Sequence, residues 1–79
     1  MIENLRKVSA LGRNGNYVEI KLVDGRTIIA EADCYGETED EETEEIFTDL
    51  RVIKQDGTSE ILIESDIVSV KELGLSLSR

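Results

Sequence analysis

The chain has 79 residues, which suffices for one domain with one modest core, since a domain of this size hides roughly 60% of its unfolded surface. No run of about 18 apolar residues is present to span a bilayer, and charges interrupt Met1 to Leu11, unlike the apolar stretch of a secretory signal. A single cysteine, Cys34, excludes an internal disulfide. These features predict a soluble, cytoplasmic, single-domain protein with no membrane association.

The formal net charge of −9 comes mainly from one segment. Seven of the 18 acidic residues lie within residues 37–45, and the rest of the chain has 11 acidic residues against 9 basic ones. Such a segment repels nucleic acid, whose binding depends on lysine and arginine, and attracts a basic protein surface. The seven residues are Glu37, Glu39, Asp40, Glu41, Glu42, Glu44 and Glu45.

The first predicted element is a short amphipathic helix over about residues 2–11, ended by Gly12. The alternative is that residues 8–11 begin an extra strand. Two strands over about residues 17–23 and 26–35 follow, each with alternating apolar and polar residues. Asp24-Gly25 between them is typical of a two-residue hairpin loop. Cys34 falls on the apolar register of the second strand, which predicts a buried core residue.

Residues 36–45 contain no apolar side chain, which predicts a solvated acidic loop, frayed or transiently helical. Strands are predicted over about residues 46–54 and 59–64, joined by a second hairpin signal at Asp56-Gly57, and a short last strand over about residues 67–71. A tight turn at Ser65 and Asp66 precedes that last strand. The pattern therefore predicts an all-β domain of five antiparallel strands with a short N-terminal helix.

Two stretches resemble a known family. Val18-Glu-Ile-Lys-Leu-Val-Asp-Gly-Arg26 leads alternating apolar residues into an Asp-Gly-Arg turn, and Ile61-Leu-Ile-Glu-Ser-Asp-Ile-Val-Ser-Val70 reads as strand, turn and strand. They resemble the two signatures of the Sm-like (LSM) domain family, and the similarity covers about residues 17–73. More narrowly, the chain is similar to the small acidic LSM-domain proteins of Gram-positive bacteria and their phages. The resemblance implies a small, strongly bent, five-stranded antiparallel barrel of the Src-homology-3-like kind.

The chain departs from the RNA-binding form of that family. Where the resemblance implies a glycine in the second strand and an aspartate after Tyr35, this sequence has Ala30 and Gly36. Glu64 stands where an RNA-contacting arginine is implied, and Ser65 stands in place of the glycine after it. We therefore expect the uridine-binding chemistry of the family to be lost.

The sequence offers little for catalysis. It has no histidine, the usual general base near neutral pH. The acidic run lacks the spacing and the glycine of an EF-hand loop, and the glycines form no phosphate-binding loop. We expect no catalytic residues, no metal site and no cofactor.

Two features indicate interaction surfaces. Tyr35 and Phe47 flank the acidic loop, either as part of a recognition surface or in plain packing beneath the loop. Ile61 and Ile63 lie on the strand face opposite Leu62, so this strand is apolar on both sides. In Sm-like proteins this edge pairs with the next subunit, and burial under the helix is the competing interpretation.

These observations predict a non-enzymatic interaction module whose acidic loop meets a basic protein partner or a sister subunit in a homo-oligomer. One alternative is an RNA-binding LSM ring that contacts RNA through Arg26 and Tyr35, although the acidic charge and Glu64 disfavour RNA. Another is an acidic inhibitor that occupies the nucleic-acid site of a different protein.

Overall fold

The computed structural model describes residues 2–13 and 15–75, the last two of them by backbone alone. A helix precedes five strands, and one turn of 3-10 helix, Glu64–Asp66, separates the last two. In chain order the elements are α1 (Glu3–Leu11), β1 (Asn16–Leu22), β2 (Thr27–Glu39), β3 (Ile46–Lys54), β4 (Ser59–Ile63) and β5 (Ile67–Leu75). The predicted helix and five strands are confirmed, but β2 and β5 each extend further than predicted.

The five strands form one antiparallel sheet in the order β4-β3-β2-β1-β5. Neighbouring strands β1 to β4 are joined by hairpins, whereas β5 returns to pair with β1. β4 and β5 lie at the two edges, and no backbone pairing joins them within residues 2–13 and 15–75. The described sheet is therefore open.

The core lies between α1 and one face of the sheet. α1 packs on β1, β2 and β5, and its apolar stripe supplies Leu5 and Val8, both fully buried. The sheet supplies the alternating apolar residues that the strand pattern predicts. These sheet residues are Val18, Ile20, Leu22, Ile28, Ala30, Leu50, Val52, Leu62 and Ile67.

The Asp-Gly turns have the same geometry. The amide of Leu22 donates to the carbonyl of Arg26 at 2.9 Å, and the amide of Gly25 donates to the carbonyl of Leu22 at 3.0 Å. Three residues therefore form the first loop, one more than the predicted two, and Gly25 has the positive φ (95°) that follows a type I turn in such loops. Lys54, Gly57 and Thr58 repeat this pattern, with a φ of 90° at Gly57.

The prediction that Cys34 is buried is wrong, because its side chain is exposed. Ala32 lies opposite Val52 but Cys34 lies opposite Arg51, so Asp33 is an extra residue in β2 and forms a β-bulge. The amide of Ala32 donates to the carbonyl of Gly12 at 2.7 Å, which anchors the strand just before the bulge. Because side chains alternate between faces, one extra residue moves Cys34 from the core face to the outer face.

Candidate functional site

The candidate site is the outer half of the β2–β3 hairpin, residues 34–48, called here the acidic arm. Beyond Ala32 and Asp49, β2 and β3 pair with each other and with no other described strand. The prediction of a loop over residues 36–45 is therefore only partly correct, because residues 36–39 continue β2 opposite β3. The acidic side chains are carried on a two-stranded ribbon with a short turn at its end.

The turn at the end of the arm is closed by its own hydrogen bonds. The amide of Asp40 donates to the carbonyl of Glu45 at 2.8 Å, and the amide of Glu44 donates to the carbonyl of Asp40 at 2.7 Å. The Asp40 carboxylate accepts a hydrogen bond from the amide of Glu42 at 2.9 Å. Glu44 has a φ of 60°, the left-handed conformation that non-glycine residues adopt at a cost. This segment forms a closed turn, and the bond from Glu44 to Asp40 spans four residues as in one turn of an α-helix. Fraying of the segment stays a prediction.

The two faces of the arm carry different side chains. Cross-strand partners share a face, so Tyr35 and Glu37 lie on the face of their partners Leu50 and Thr48. We call this the Tyr35 face, and Glu39 and Ile46 continue it toward the turn. Tyr35 is 43% exposed and Ile46 is 64% exposed. An exposed aromatic ring, two carboxylates and an exposed aliphatic side chain therefore follow one another along this face.

Phe47 lies on the opposite face from Tyr35, because it pairs with Thr38. We call this the Asp49 face, and Cys34, Gly36 and Thr38 belong to it. The predicted surface that combines Tyr35 with Phe47 is therefore divided between two faces of the ribbon. Both aromatic side chains remain partly exposed, so neither is fully packed beneath a loop.

Asp49 is a functional candidate that the sequence analysis missed. It is 6% exposed, although it lies in a strand at the base of the acidic arm. Its Oδ2 accepts a hydrogen bond from the hydroxyl of Thr38 at 2.5 Å. Gly36 is directly opposite in the register, and a Cβ built there would lie 2.8 Å from Asp49 Oδ1. Gly36 and Thr38 lie on the same face as Asp49 only because of the bulge. The sequence pattern alone therefore does not indicate that these residues are in contact.

Arg26, the predicted RNA contact, is engaged within the protein. Its Nε lies 2.8 Å from Asp24 Oδ2 and its Nη2 lies 2.5 Å from Glu60 Oε2. Hydrogen bonds from Arg26, the backbone amide first, lower the pKa of Asp24, and the guanidinium lowers the pKa of Glu60. The same contacts raise the pKa of Arg26. Arg26 also precedes β2 whereas Tyr35 lies beyond the bulge, so the structure does not bring the two predicted RNA contacts together.

Glu64 has a structural role that the sequence did not reveal. Its Oε1 accepts hydrogen bonds from the amides of Asn4 and Leu5, each at 3.0 Å, and its Oε2 lies 3.0 Å from the same Asn4 amide. These amides belong to the first turn of α1, whose N-terminus attracts negative charge. Because the partners are 59 and 60 residues apart in sequence, no local pattern could have indicated this cap.

The two isoleucines on the outer side of the edge strand β4 differ in exposure. Ile61 is 59% exposed, so it is not buried under the helix. Ile63 is half-buried and lines a shallow groove with Ile2 and Phe47. The outer side of β4 is therefore an apolar strip beside an unpaired strand edge.

Within residues 2–13 and 15–75, no group of three or more cysteine, aspartate or glutamate side chains is placed to hold a metal ion. No helix in the described part of the chain is long and apolar enough to cross a membrane. Comparisons with protein-family models, with curated proteins and with solved structures find no significant match.

Proposed function

We propose that this chain is a non-enzymatic, cytoplasmic interaction module of the Sm-like kind, whose acidic arm binds a basic protein surface. That surface belongs either to another protein or to a second copy of the chain. The observation that carries the proposal is the position of the seven acidic residues. All lie on the acidic arm, two on its strand β2 and five in its turn, and six of the seven are exposed.

Electrostatics favours a cationic partner for this surface. Residues 37–45 contain seven carboxylates and no lysine or arginine, so nothing within the segment neutralises them. Such a concentration of charge accelerates encounter with a basic surface and repels polyanions. Tyr35 and Ile46 add partly apolar contact area beside the carboxylates on the Tyr35 face.

The Sm-like assignment rests on the order of elements. A short helix, five antiparallel strands and one turn of 3-10 helix before the last strand is the order that the sequence resemblance implies. We propose that the open sheet curves as in that family, and that the free edges of β4 and β5 are available for pairing between copies. Exposed Ile61 beside the β4 edge supports an association of this kind.

The test of partner binding compares two variants with the same change in net charge. The first carries Glu37→Gln, Glu41→Gln and Glu42→Gln in the arm, at exposed carboxylates. The control carries Glu19→Gln, Glu31→Gln and Glu72→Gln, outside the arm. Fluorescence anisotropy with labelled decalysine measures both affinities over a range of salt concentrations.

We expect the arm variant to bind decalysine roughly 3- to 150-fold more weakly than the wild type, since each of the three exposed charge pairs contributes about 0.2–1 kcal/mol. Its salt dependence should also be shallower. The control variant should stay within about twofold of the wild type if the contact is localised on the arm. Equal losses in the two variants would contradict the proposal, because they would indicate attraction to net charge alone.

Titration with oligouridine at low salt separates this proposal from the RNA-binding alternative. Direct contact through Arg26 requires its guanidinium to leave Asp24 and Glu60. We therefore expect no oligouridine binding at concentrations that saturate decalysine binding. Saturable oligouridine binding that is lost in Arg26→Gln would favour the LSM ring with an RNA ligand.

Light scattering distinguishes the two kinds of basic partner. If the partner is a second copy, the wild type should form an oligomer that dissociates at high salt and in the arm variant. If β4–β5 pairing drives assembly, Ile61→Lys should yield monomers while the arm variant remains assembled. If the wild type is a monomer at all concentrations, the basic surface that the arm binds belongs to a different protein.

A further inference from the structure

The pocket on the Asp49 face lies at the base of the acidic arm. It has a volume of about 260 Å3, and its lining includes Gly36, Asp49, Arg51 and Ile61. Tyr35 and Glu37 also contribute to its margin. Cross-strand pairing accounts for the grouping, because Gly36 lies opposite Asp49 and Arg51 lies opposite Ile61. The pocket is thus framed by three neighbouring strands rather than by a loop.

One carboxylate oxygen of Asp49, which lines this pocket, receives no hydrogen bond from the described residues and is not sealed from solvent. Asp49 is 6% exposed, and among the described residues its side chain receives one hydrogen bond, from the Thr38 hydroxyl to Oδ2. A buried carboxylate usually requires a cation or several donors, because removing it from water is costly. The nearby guanidinium of Arg51 is paired with Asp33 instead, with Nε 3.4 Å from Oδ2. Oδ1 therefore takes its hydrogen bonds from water or from a group that enters the pocket.

Gly36 leaves space for such a donor. A side chain at this position would place its Cβ 2.8 Å from Asp49 Oδ1, closer than ordinary contact. The φ of Gly36 is not positive, so backbone conformation does not require glycine here. What the missing side chain provides is access from the pocket to the carboxylate oxygen.

We infer that this pocket binds the ammonium group of a lysine side chain from the basic partner. The inference rests on the proposed function and names the chemistry that the partner presents. Thr38 already donates to Oδ2, so Oδ1 is the oxygen that has no donor among the described residues. An ammonium group can use a single oxygen as a point charge, whereas a guanidinium binds best to both oxygens of a carboxylate. The aliphatic part of the lysine would lie against Ile61, which is 59% exposed.

The test uses small probes that report on the pocket alone. Amide resonances of the wild-type protein are followed during titration with Nα-acetyl-lysine methylamide. The matched control ligand is Nα-acetyl-norleucine methylamide, which has the same aliphatic chain without the ammonium group. We expect saturable shifts of the Gly36 and Arg51 amide resonances with the lysine compound and none with the norleucine compound. Nα-acetyl-arginine methylamide, titrated in the same way, should bind more weakly than the lysine compound.

Two protein variants test the proposed contacts by different routes. Asp49→Asn removes the charge with little change in shape and should weaken lysine binding about tenfold. Gly36→Ala retains the charge but fills the space above Oδ1, and it should weaken lysine binding by a similar factor. This variant tests the pocket independently if Asp49→Asn does not fold. Glu72→Gln makes the same charge change at an exposed residue outside the arm and should leave lysine binding within about twofold.

Decalysine binding, measured on the same samples, separates the two claims. If the wild type shows no saturable binding of the lysine compound, or binds the norleucine compound equally well, the pocket inference is wrong. Arm-dependent decalysine binding would still support the proposed function in that case. Unchanged lysine affinity in folded Asp49→Asn would also overturn the pocket inference. Absence of decalysine binding to the wild type would instead contradict the proposed function.

Discussion

At the scale of single residues, the most consequential side chain outside the core is Glu64. Its carboxylate satisfies amides of Asn4 and Leu5 in the first turn of α1. Hydrogen bonds that cap a helix stabilise it directly, and the negative charge also interacts favourably with the helix dipole. This contact joins the turn before β5 to the start of the chain, so it fixes the helix against the sheet.

We predict that Glu64→Ala lowers the free energy of unfolding by about 1–2 kcal/mol, because two helix amides lose their acceptor. Glu64→Gln keeps an acceptor oxygen but loses the charge, and should cost about half as much. Urea unfolding measures both effects. The control is Ser65→Ala at the exposed neighbouring residue, which should change stability by less than about 0.5 kcal/mol. Equal effects at residues 64 and 65 would refute the capping role.

Glu44 adopts a left-handed backbone conformation in the arm turn. Glycine adopts this conformation without steric cost, so Glu44→Gly should raise the free energy of unfolding by about 0.5–1 kcal/mol. Glu42→Gly, which removes the same charge from the same turn at a residue without positive φ, should lower stability. Thermal unfolding of the two variants gives the comparison, and a shift of both in the same direction would contradict this explanation.

The sequence predicts the role of some residues and not of others for a physical reason. Gly25 and Gly57 follow aspartate between alternating strands, a local pattern that requires positive φ, and both have it. Glu64 and Asp49 depend on contacts between distant parts of the chain. The residues beside Asp49 and Glu64 in the sequence do not indicate these contacts. The sequence pattern therefore predicted no role for Asp49, and for Glu64 it predicted only that an RNA contact is missing.

At the scale of elements, the bulge in β2 determines which side chains reach solvent. It reverses the faces from Cys34 outward, exposing the thiol and placing Gly36 opposite Asp49. Strand alternation predicted the core of β1 and the first half of β2 correctly, since no register shift intervenes between Val18 and Ile28. Beyond Asp33 the same alternation gives the wrong face, because a bulge has no reliable signature in one sequence.

Alkylation of Cys34 tests this register. We expect iodoacetamide to modify the folded protein at a rate within about threefold of the urea-unfolded chain, because the thiol is exposed. The rate is followed by mass spectrometry at constant pH, with the unfolded protein as reference. Strong protection that disappears only on unfolding would show that Cys34 is buried and that the bulge is misplaced.

The ion-pair cluster joins the first hairpin turn to β4. Arg26 lowers the pKa of Glu60 and of Asp24 in the folded protein. Groups whose folded pKa is lowered contribute stability that is complete above about pH 5 and lost as pH falls through the folded pKa. Arg26→Gln should therefore be less stable at neutral pH but lose less stability on acidification than the wild type.

Some acid sensitivity should remain in that variant, because Asp56 has a lowered pKa through hydrogen bonds from Thr58 that do not involve Arg26. Urea unfolding at a series of pH values from neutrality to about pH 3 measures the two curves. Arg6→Gln on α1 provides a control with the same loss of charge. Parallel curves for Arg26→Gln and the wild type would contradict the role of Arg26.

At the scale of the whole molecule, the buried core and the acidic arm lie in different parts of the protein. The core under α1 contains nearly all the fully buried apolar side chains, whereas the acidic arm adds almost none. The molecule measures 44 × 23 × 21 Å, an elongated shape consistent with a two-stranded extension of the sheet. The helix, the five antiparallel strands and the charge distribution were predictable because they follow from composition and periodicity along the chain. The extension of β2 into the acidic segment could not be predicted, because the strand residues there are all polar and show no alternation of apolar and polar side chains.

Chemical-shift mapping with decalysine at moderate salt tests most directly whether the arm is the binding surface. We predict that the largest amide shifts lie within residues 34–51, including the arm turn and the strands that frame the Asp49 pocket. Residues around Asp24 and Asp56 provide an internal comparison, because they are also acidic but lie at the two Asp-Gly turns. Largest shifts at those turns, or no saturable shifts at all, would contradict the assignment of function to the acidic arm.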